Sequence, residues 1–524
     1  MAGRLNIAAT ACAIISTWMA YDASAQGVTS VVVLSNSPSP DGNGAFRSGP
    51  SSRLSPPTLS NARGAGFTTL LENTSEGFND DEAVFKLQGG ALIQLAREGK
   101  LAPNGDGNLH FFTNVGFNHS GEAAFGSRLI NTSGGAASDR GIFRGDGQAL
   151  VEIVREGDAP PDGNGFFADA STFSAFGSPL LNGAGEVAFS GRLTGTSNGA
   201  VDDAGIFRGD GNSLVQIARE HQLAPDGNGR YSQFGNYAVN DLGQVAFEGT
   251  LSGTDEGVKD FQGIFRGNGG EVTQIARANQ FAPDGTTLLA YFHFPVVNNA
   301  GQVAFVAVQD TLTSSKESLF RGDGDELTLI AGYGSAAPDG NGQFFNFNTP
   351  AMNDAGVTAF HGALQLTTPQ AAYTGIFRGD GGELTQIARG GQSAPGGGGK
   401  FDLRFDPVIN EAGQVAFYSY LSDGGSGIYF FDDATGLQLV ARVGTSLLGS
   451  TIARVGFTDP GVVSAPLRTR FSGLNDQGQI AFSFTLQDGR SGIAVWSVPE
   501  PTASILCILA AVSGTACRAR KYRA

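Results

Sequence analysis

Asn240-Asp-Leu-Gly-Gln-Val-Ala-Phe247, followed by Gly263-Ile-Phe-Arg-Gly-Asn-Gly269, is the stretch that decides the fold. Its first half, Asn-x-x-Gly-x-x-Ala-Phe, recurs from Asn118, Asn182, Asn240, Asn298, Asn353, Asn410 and Asn475. An eighth, degenerate copy starts at Asn61, with Gly64 and Phe67 but no Ala before the Phe. Its second half recurs as Gly-Ile-Phe-Arg-Gly-Asp-Gly at 141–147, 205–211 and 375–381, and as SLFRGDG at 318–324. Self-similarity at a fixed period of 20–50 residues or slightly more marks one supersecondary unit used many times.

Each unit carries four short apolar runs. The first follows the motif, as in Gln414-Val-Ala-Phe-Tyr-Ser-Tyr420, and leads into a variable polar stretch with paired Asp such as Asp202-Asp203. The second is the Ile-Phe-Arg run, the third resembles Leu384-Thr-Gln-Ile-Ala-Arg389, and the fourth is Phe-rich, as in Gln343-Phe-Phe-Asn-Phe-Asn348. Gly-Asp-Gly between apolar runs is a hairpin signal, because the turn needs positive φ. Pro-Asp-Gly is a turn in which Pro presets φ and Gly takes the left-handed position. No 3.6-residue period is sustained in the body, and the runs do not alternate cleanly, so they suit strands covered on both faces.

Four antiparallel strands per repeat predict an all-β chain, a β-propeller of eight four-stranded blades. The ends of the repeat region predict closure. Ser30-Val-Val-Val-Leu34 and a strand after the 40–44 loop form one half-blade. Gln479-Ile-Ala-Phe-Ser-Phe484 and Gly492-Ile-Ala-Val-Trp496 form the other. Pairing the halves removes exposed edges; an open β-solenoid or two smaller β domains would leave them.

Composition bounds the rest. The chain has 524 residues, 78 of them Gly and 38 Phe, and a net charge of -16. That Phe content excludes disorder, the Gly has no collagen period, and the acidity argues against nucleic acid as a partner. The first 25 residues read as a signal peptide, with Arg4, an apolar run from Leu5 to Ala20 and Ala23-Ser24-Ala25 before Gln26. The propeller then spans 26–497. At 498–524 the chain reads Val498-Pro499-Glu500-Pro501, an apolar run from Thr502 to Cys517, and Arg518, Arg520, Lys521 and Arg523. The run of sixteen residues is short for a bilayer span of about 20, but basic residues after it favour a cytoplasmic end, and the segment is expected to be a helix that anchors the chain in the membrane at least transiently. All three cysteines, Cys12, Cys507 and Cys517, lie in these end segments, so the exported body holds together without disulfides.

The tail resembles the PEP-CTERM sorting signal of exopolysaccharide-producing Gram-negative bacteria. The repeat is similar to the tandem-repeat proteins named for the NxxGxxAF motif, described with a choice of C-terminal anchors. The first resemblance implies processing by an exosortase-type membrane protease and association with extracellular polysaccharide. The second implies surface anchoring and no particular activity. The sequence departs from the repeat at 61–67 and at Phe430-Phe-Asp-Asp433.

Strand order puts the variable loops and the Pro-Asp-Gly loops on one face, the tight turns on the other. The first face collects Asp41, Asp162, Asp226, Asp284 and Asp339, with Asp202, Asp203 and Asp260. Loops on a rigid scaffold are the usual seat of binding. These carboxylates are candidate ligand groups, with Ca²⁺ as a candidate hard cation, although Asp between Pro and Gly also forms turns with no metal. Arg97, Arg155, Arg219, Arg277, Arg389 and Arg442 are expected to bridge neighbouring blades. No catalytic motif stands in its required context: Gly195-Thr-Ser197-Asn-Gly199 lies in a polar loop without the strand and helix of a nucleophile elbow. The expected protein is a non-catalytic binding or structural component of the cell envelope or matrix. The alternative is a secreted carbohydrate-active enzyme on a propeller scaffold.

Overall fold

The computed structural model describes residues 27–49, 52–62, 64–168, 175–310, 316–457 and 472–498. Ser30–Val495 form one compact unit; residues 27–29 and 496–498 fall with the chain ends into a second. The proposed signal peptide lies outside the described residues, and so do Pro499, Glu500, Pro501 and the segment after them; Val498 is the last described residue.

The larger unit is an eight-bladed β-propeller. Eight antiparallel sheets succeed one another along the chain. Blade two is typical: Asn108–Phe117, Ala123–Ile130, Arg140–Gly145 and Leu150–Arg155 pair in chain order. In several blades the first strand is broken in two, as where Phe166–Phe167 and Leu180–Leu181 both pair with Val187–Thr194. First strands of successive blades lie side by side, Arg230–Val239 against Leu289–Val297, which puts them nearest the axis. The only helical elements among the described residues are single turns such as Gly77–Asn79 and Gly199–Val201 in the variable loops.

The Phe-rich sequence becomes the packing between and within sheets. Phe247 stacks on Phe265 at 5.7 Å and 27°, and Tyr231 meets Phe265 edge-on at 5.1 Å. The same stack joins Phe125 to Phe143, Phe189 to Phe207 and Phe360 to Phe377. Such pairs add about 1 kcal/mol beyond area burial. The last three residues of each motif, Val-Ala-Phe or a variant such as Thr358-Ala-Phe360, are buried at all three positions, since each sheet is covered by its neighbours on both faces.

The motif Asn has two tasks. Asn298 Oδ1 accepts the Gln302 N–H at 2.8 Å, closing its own turn, while its Nδ2 donates to the Asn353 carbonyl of the next blade at 3.1 Å. Equivalent bonds run Asn118 to Asn182, Asn182 to Asn240, Asn240 to Asn298, Asn353 to Asn410 and Asn410 to Asn475. The amide places an acceptor and a donor on two separate atoms of one short side chain, so both bonds form at once. Gly three residues later holds φ near +78°, as at Gly121, where other residues are strained.

Two expectations are corrected. The degenerate copy begins at Ser60, not Asn61: Ser60 Oγ accepts the Gly64 N–H, and Ser60 O accepts from Asn475. Ser60 and Gly66 therefore stand where Asn and the Ala before Phe stand elsewhere. Closure is three strands plus one, not two plus two. Ser450–Gly456, Ile480–Leu486 and Ser491–Ser497 come from the C-terminal side, and Val28–Leu34 is the only strand from the N-terminal side. The strand after the 40–44 loop, Ala45–Phe46, crosses to Ala65–Glu72 of the next blade, with Ala45 opposite Glu72. The fourth run of every unit does the same, because the loop before it is the link between blades.

Candidate functional site

The Pro-Asp-Gly loops and the variable loops share one face, and each pair is wired together. In the 224–229 loop, Asp226 Oδ1 accepts the Asn228 N–H at 2.9 Å. Asn228 then donates through Nδ2 to Asp260 at 2.8 Å and accepts the Asp255 N–H at 2.8 Å, both in the variable loop. Asn43 and Asn164 repeat this with Asp80 and Asp202. Burial opposes ionisation of Asp202, but hydrogen bonds from Thr196, Asn164 and Asn198 outweigh it and hold the carboxyl down at about 2.

A buried arginine clamps most of these pairs. Arg277, 5% exposed, donates Nε to the Asp260 carbonyl at 2.6 Å, Nη2 to the Asn228 carbonyl at 2.8 Å, and Nη1 to Asp226 at 3.0 Å. Arg97 holds Asp41 at 3.1 Å, Arg219 holds Asp162 at 3.1 Å, and Arg389 lies 3.8 Å from Asp339. These arginines join the outer strand of a blade to the loop entering that same blade. The sheet-to-sheet bridge expected of them is made by another set. Arg144, Arg208, Arg266, Arg321 and Arg378, from the Phe-Arg-Gly runs, donate to carbonyls of Gly185, Gly243, Gly301, Gly356 and Gly413 in the next blade.

Four of the five candidate ligand carboxylates thus face a guanidinium. Asp284 is the exception, because Gly332 occupies the place of the clamp arginine. The Thr287 hydroxyl and the N–H groups of Thr287 and Thr286 hold the Asp284 carboxyl at about 2. Among the described residues no group of three or more His, Cys, Asp or Glu side chains is placed to hold a metal ion. A Ca²⁺ ion at Asp41, Asp162, Asp226 or Asp339 would have to displace an arginine.

Sequence reading missed a second set of carboxylates, several of which cap N–H groups on the inner strand of the next blade. Inner strands break register where Phe111 and Phe294 take φ of 61° and 58°, and this frees N–H groups. Glu82 accepts from Phe112, Glu98 from Phe111, Glu248 from Phe294 and Asn236, and Glu317 from Phe347. His110 Nδ1 lies 2.6 Å from Glu98. Burial pushes Glu156, Glu220 and Glu248 up to about 7; Asp139 and Asp203 reinforce it for the first two. The available signal was Arg-Glu at 97–98, 155–156 and 219–220.

While the polar groups of the loop face are engaged internally, large apolar side chains on it stand in solvent. Phe78 is 84% exposed and Val258 73%, in the variable loops; Leu101, Leu223 and Phe281 sit exposed at the entrance to the Pro-containing loops.

These features define a closed β-propeller with a pre-wired loop face. The chain belongs to a family of unknown function, DUF7453, which matches residues 10–372 and 255–505. No curated protein matches it. Among solved structures it is similar to a puromycin-hydrolyzing peptidase from Mycobacterium tuberculosis, at 11% identity and a TM-score of 0.37, covering 86% of this chain and 62% of that one. It is also similar to the β-propeller domain of the trilobed protease from Pyrococcus furiosus, at 10% identity and a TM-score of 0.27, covering 64% of this chain and 97% of that one. The α-L-arabinanase from Penicillium chrysogenum complexed with arabinobiose is a third, at 14% identity and a TM-score of 0.29, covering 61% and 92%. The chain spans less than two thirds of the peptidase's length. The likeness is one of fold.

Proposed function

We propose that this chain is an exported propeller, sorted or anchored through its C-terminal segment, that acts as a non-catalytic binding or structural protein of the cell envelope or matrix in contact with polysaccharide. One observation carries the reading: the loop face spends its carboxylates and arginines on internal bonds and presents exposed apolar side chains on a rigid frame. Rigid apolar and aromatic groups bind at little entropic cost. Export and sorting rest on residues 1–25 and 498–524 of the sequence. Among the described residues no helix is long and apolar enough to cross a membrane; the run from Thr502 to Cys517 lies outside them.

The test is co-sedimentation of the purified full chain with extracellular polysaccharide from cells that make it, beside fractionation of those cells. Recovery with the polysaccharide and in the envelope or medium is expected. A chain confined to the cytoplasmic fraction and unretained by the polysaccharide overturns the reading.

A second reading, a secreted carbohydrate-active enzyme, draws on the contact of Glu98 with His110 and on the carboxyls of Glu156 and Glu220, which burial raises to about 7, a range suited to proton transfer near neutral pH. Release of reducing ends from a panel of polysaccharides, lost in Glu156→Gln and Glu220→Gln, would establish it. The carboxyl of Glu98 is already used as a cap for Glu82 and Phe111 N–H groups.

A further inference from the structure

The loop face has one place near the axis where aromatic side chains and a fixed ion pair come together. In blade seven, Phe405, Tyr418 and Tyr420 form a triangle with ring centroids 5.2, 5.5 and 5.6 Å apart. Tyr420 lies opposite Asp402 of the inner strand Phe401–Asp402, beside the loop end of Val415–Leu421. Arg404 stands over the Tyr420 ring at 5.8 Å. Asp402 takes Arg404 Nε at 3.0 Å and Nη2 at 2.7 Å, and the Arg404 side chain is mostly exposed. Tyr420 is 39% exposed and Tyr373, close enough to influence Arg404 electrostatically, is 46% exposed.

We propose that this platform of Tyr420, Tyr373 and the Asp402–Arg404 pair is a binding subsite for a neutral pyranose saccharide. The proposal deepens the reading above and rests on it for the choice of a saccharide. Three features point to this chemistry. The exposed aromatic rings offer flat apolar surface to the C–H face of a sugar ring, and Tyr has few rotamers to lose on binding. The ion pair holds an acceptor and donors at fixed spacing, which suits adjacent hydroxyl groups. The pair is charge-compensated, and the chain carries -16 overall, so a polyanion would be repelled at long range while a neutral glycan would not. The Arg404 guanidinium is already committed on its inner edge, so it acts as a positioned donor, not as a free cation.

The experiment is electrophoresis of the full chain through native gels cast with hydroxyethylcellulose, mannan, polygalacturonate, the producing cell's own polysaccharide, or none. Tyr420→Ala, Tyr373→Ser and Arg404→Gln are run beside wild type, with thermal midpoints measured for each. Expected is retardation by at least one neutral polymer, weakened about fivefold or more in Tyr420→Ala and Tyr373→Ser at unchanged midpoint. Tyr373 is outside the core, so its variant tests the site even where Tyr420→Ala unfolds. Retardation that no variant changes overturns the platform and leaves the polysaccharide reading standing. Retardation by polygalacturonate alone overturns the neutral class. No retardation in any gel, the native polysaccharide included, overturns both.

Discussion

The side-chain amide of Asn475 donates to the carbonyl of Ser60 at 3.2 Å, across 415 positions of sequence. It is the last link in a circuit of seven asparagines that passes from blade to blade. Asp476 and Asn61 reinforce it at 2.5 and 3.0 Å. Stability of the ring therefore depends on side chains that are buried, polar and each engaged at both ends.

Asn298→Ala removes a buried amide that is bonded to Gln302 twice and to Asn353. Unpaired partners cost about 1–3 kcal/mol each, so a loss of about 2–4 kcal/mol is expected by urea unfolding. Asn298→Asp should cost as much, since a carboxylate faces the Asn353 carbonyl with no donor. Tolerance of Asp would mean that the acceptor task alone matters.

Arg277→Met should cost about 3 kcal/mol, because the carbonyls of Asp260 and Asn228 lose their donor in a buried site. Asp226→Asn should cost less than about 1 kcal/mol, since Asp226 is partly solvated and its side-chain oxygen still accepts the Asn228 N–H. Equal costs in the two variants would place the clamp's strength in the ion pair and not in the carbonyl bonds.

The carboxyl of Glu248 is raised by burial to about 7, against hydrogen bonds from Asn236 and Phe294 that lower it. Between the unfolded value and about 7 the folded chain binds more protons, so stability is complete at low pH and falls as pH rises through that window. The loss from this one group is up to about 3 kcal/mol. Glu248→Gln should flatten the decline of the thermal midpoint from pH 5 to pH 8. An unchanged decline would show that Glu248 ionises normally in the fold.

Because arginines occupy Asp41, Asp162, Asp226 and Asp339, the thermal midpoint should be the same in EDTA and in millimolar Ca²⁺. A ligand of the native state at a hundredfold excess over Kd would add about 2.7 kcal/mol, a shift easily seen by calorimetry. A rise from binding at those four carboxylates would require them to leave their clamps, and the Arg277→Met variant would then bind Ca²⁺ more tightly.

Much of this architecture could be read from the chain. The seven Asn-x-x-Gly-x-x-Ala-Phe copies and the degenerate eighth gave blade number, and Gly-Asp-Gly gave the hairpins, because turns needing positive φ leave Gly at fixed offsets. The division of loops between two faces followed from strand order alone. What failed was local substitution and phase. Ser60 replaces an Asn with a side chain that also accepts a backbone N–H, so the motif search slid by one residue to Asn61. The strand before each Asn was assigned to its own unit because sequence proximity does not distinguish a hairpin from a link between sheets. These carboxylates were hidden because several of their partners are N–H groups of a neighbouring inner strand, two of them at the backbone breaks at Phe111 and Phe294, and aromatic residues give no warning of a left-handed φ. The platform at Tyr420 joins residues from two strands and two loops, and no linear spacing joins them.

The three-plus-one seam has a kinetic meaning. Ser35 and Ser491 exchange hydrogen bonds over 456 positions, so the earliest strand to emerge during synthesis has its partner among the latest. Contacts this distant form slowly, after local ones. Blades one to seven can each fold as their own residues appear, stacking into an arc. The first strand has no sheet to join until the eighth blade is complete. For that interval the arc carries two raw edges, and whatever keeps nascent chains apart must act until the final strand arrives.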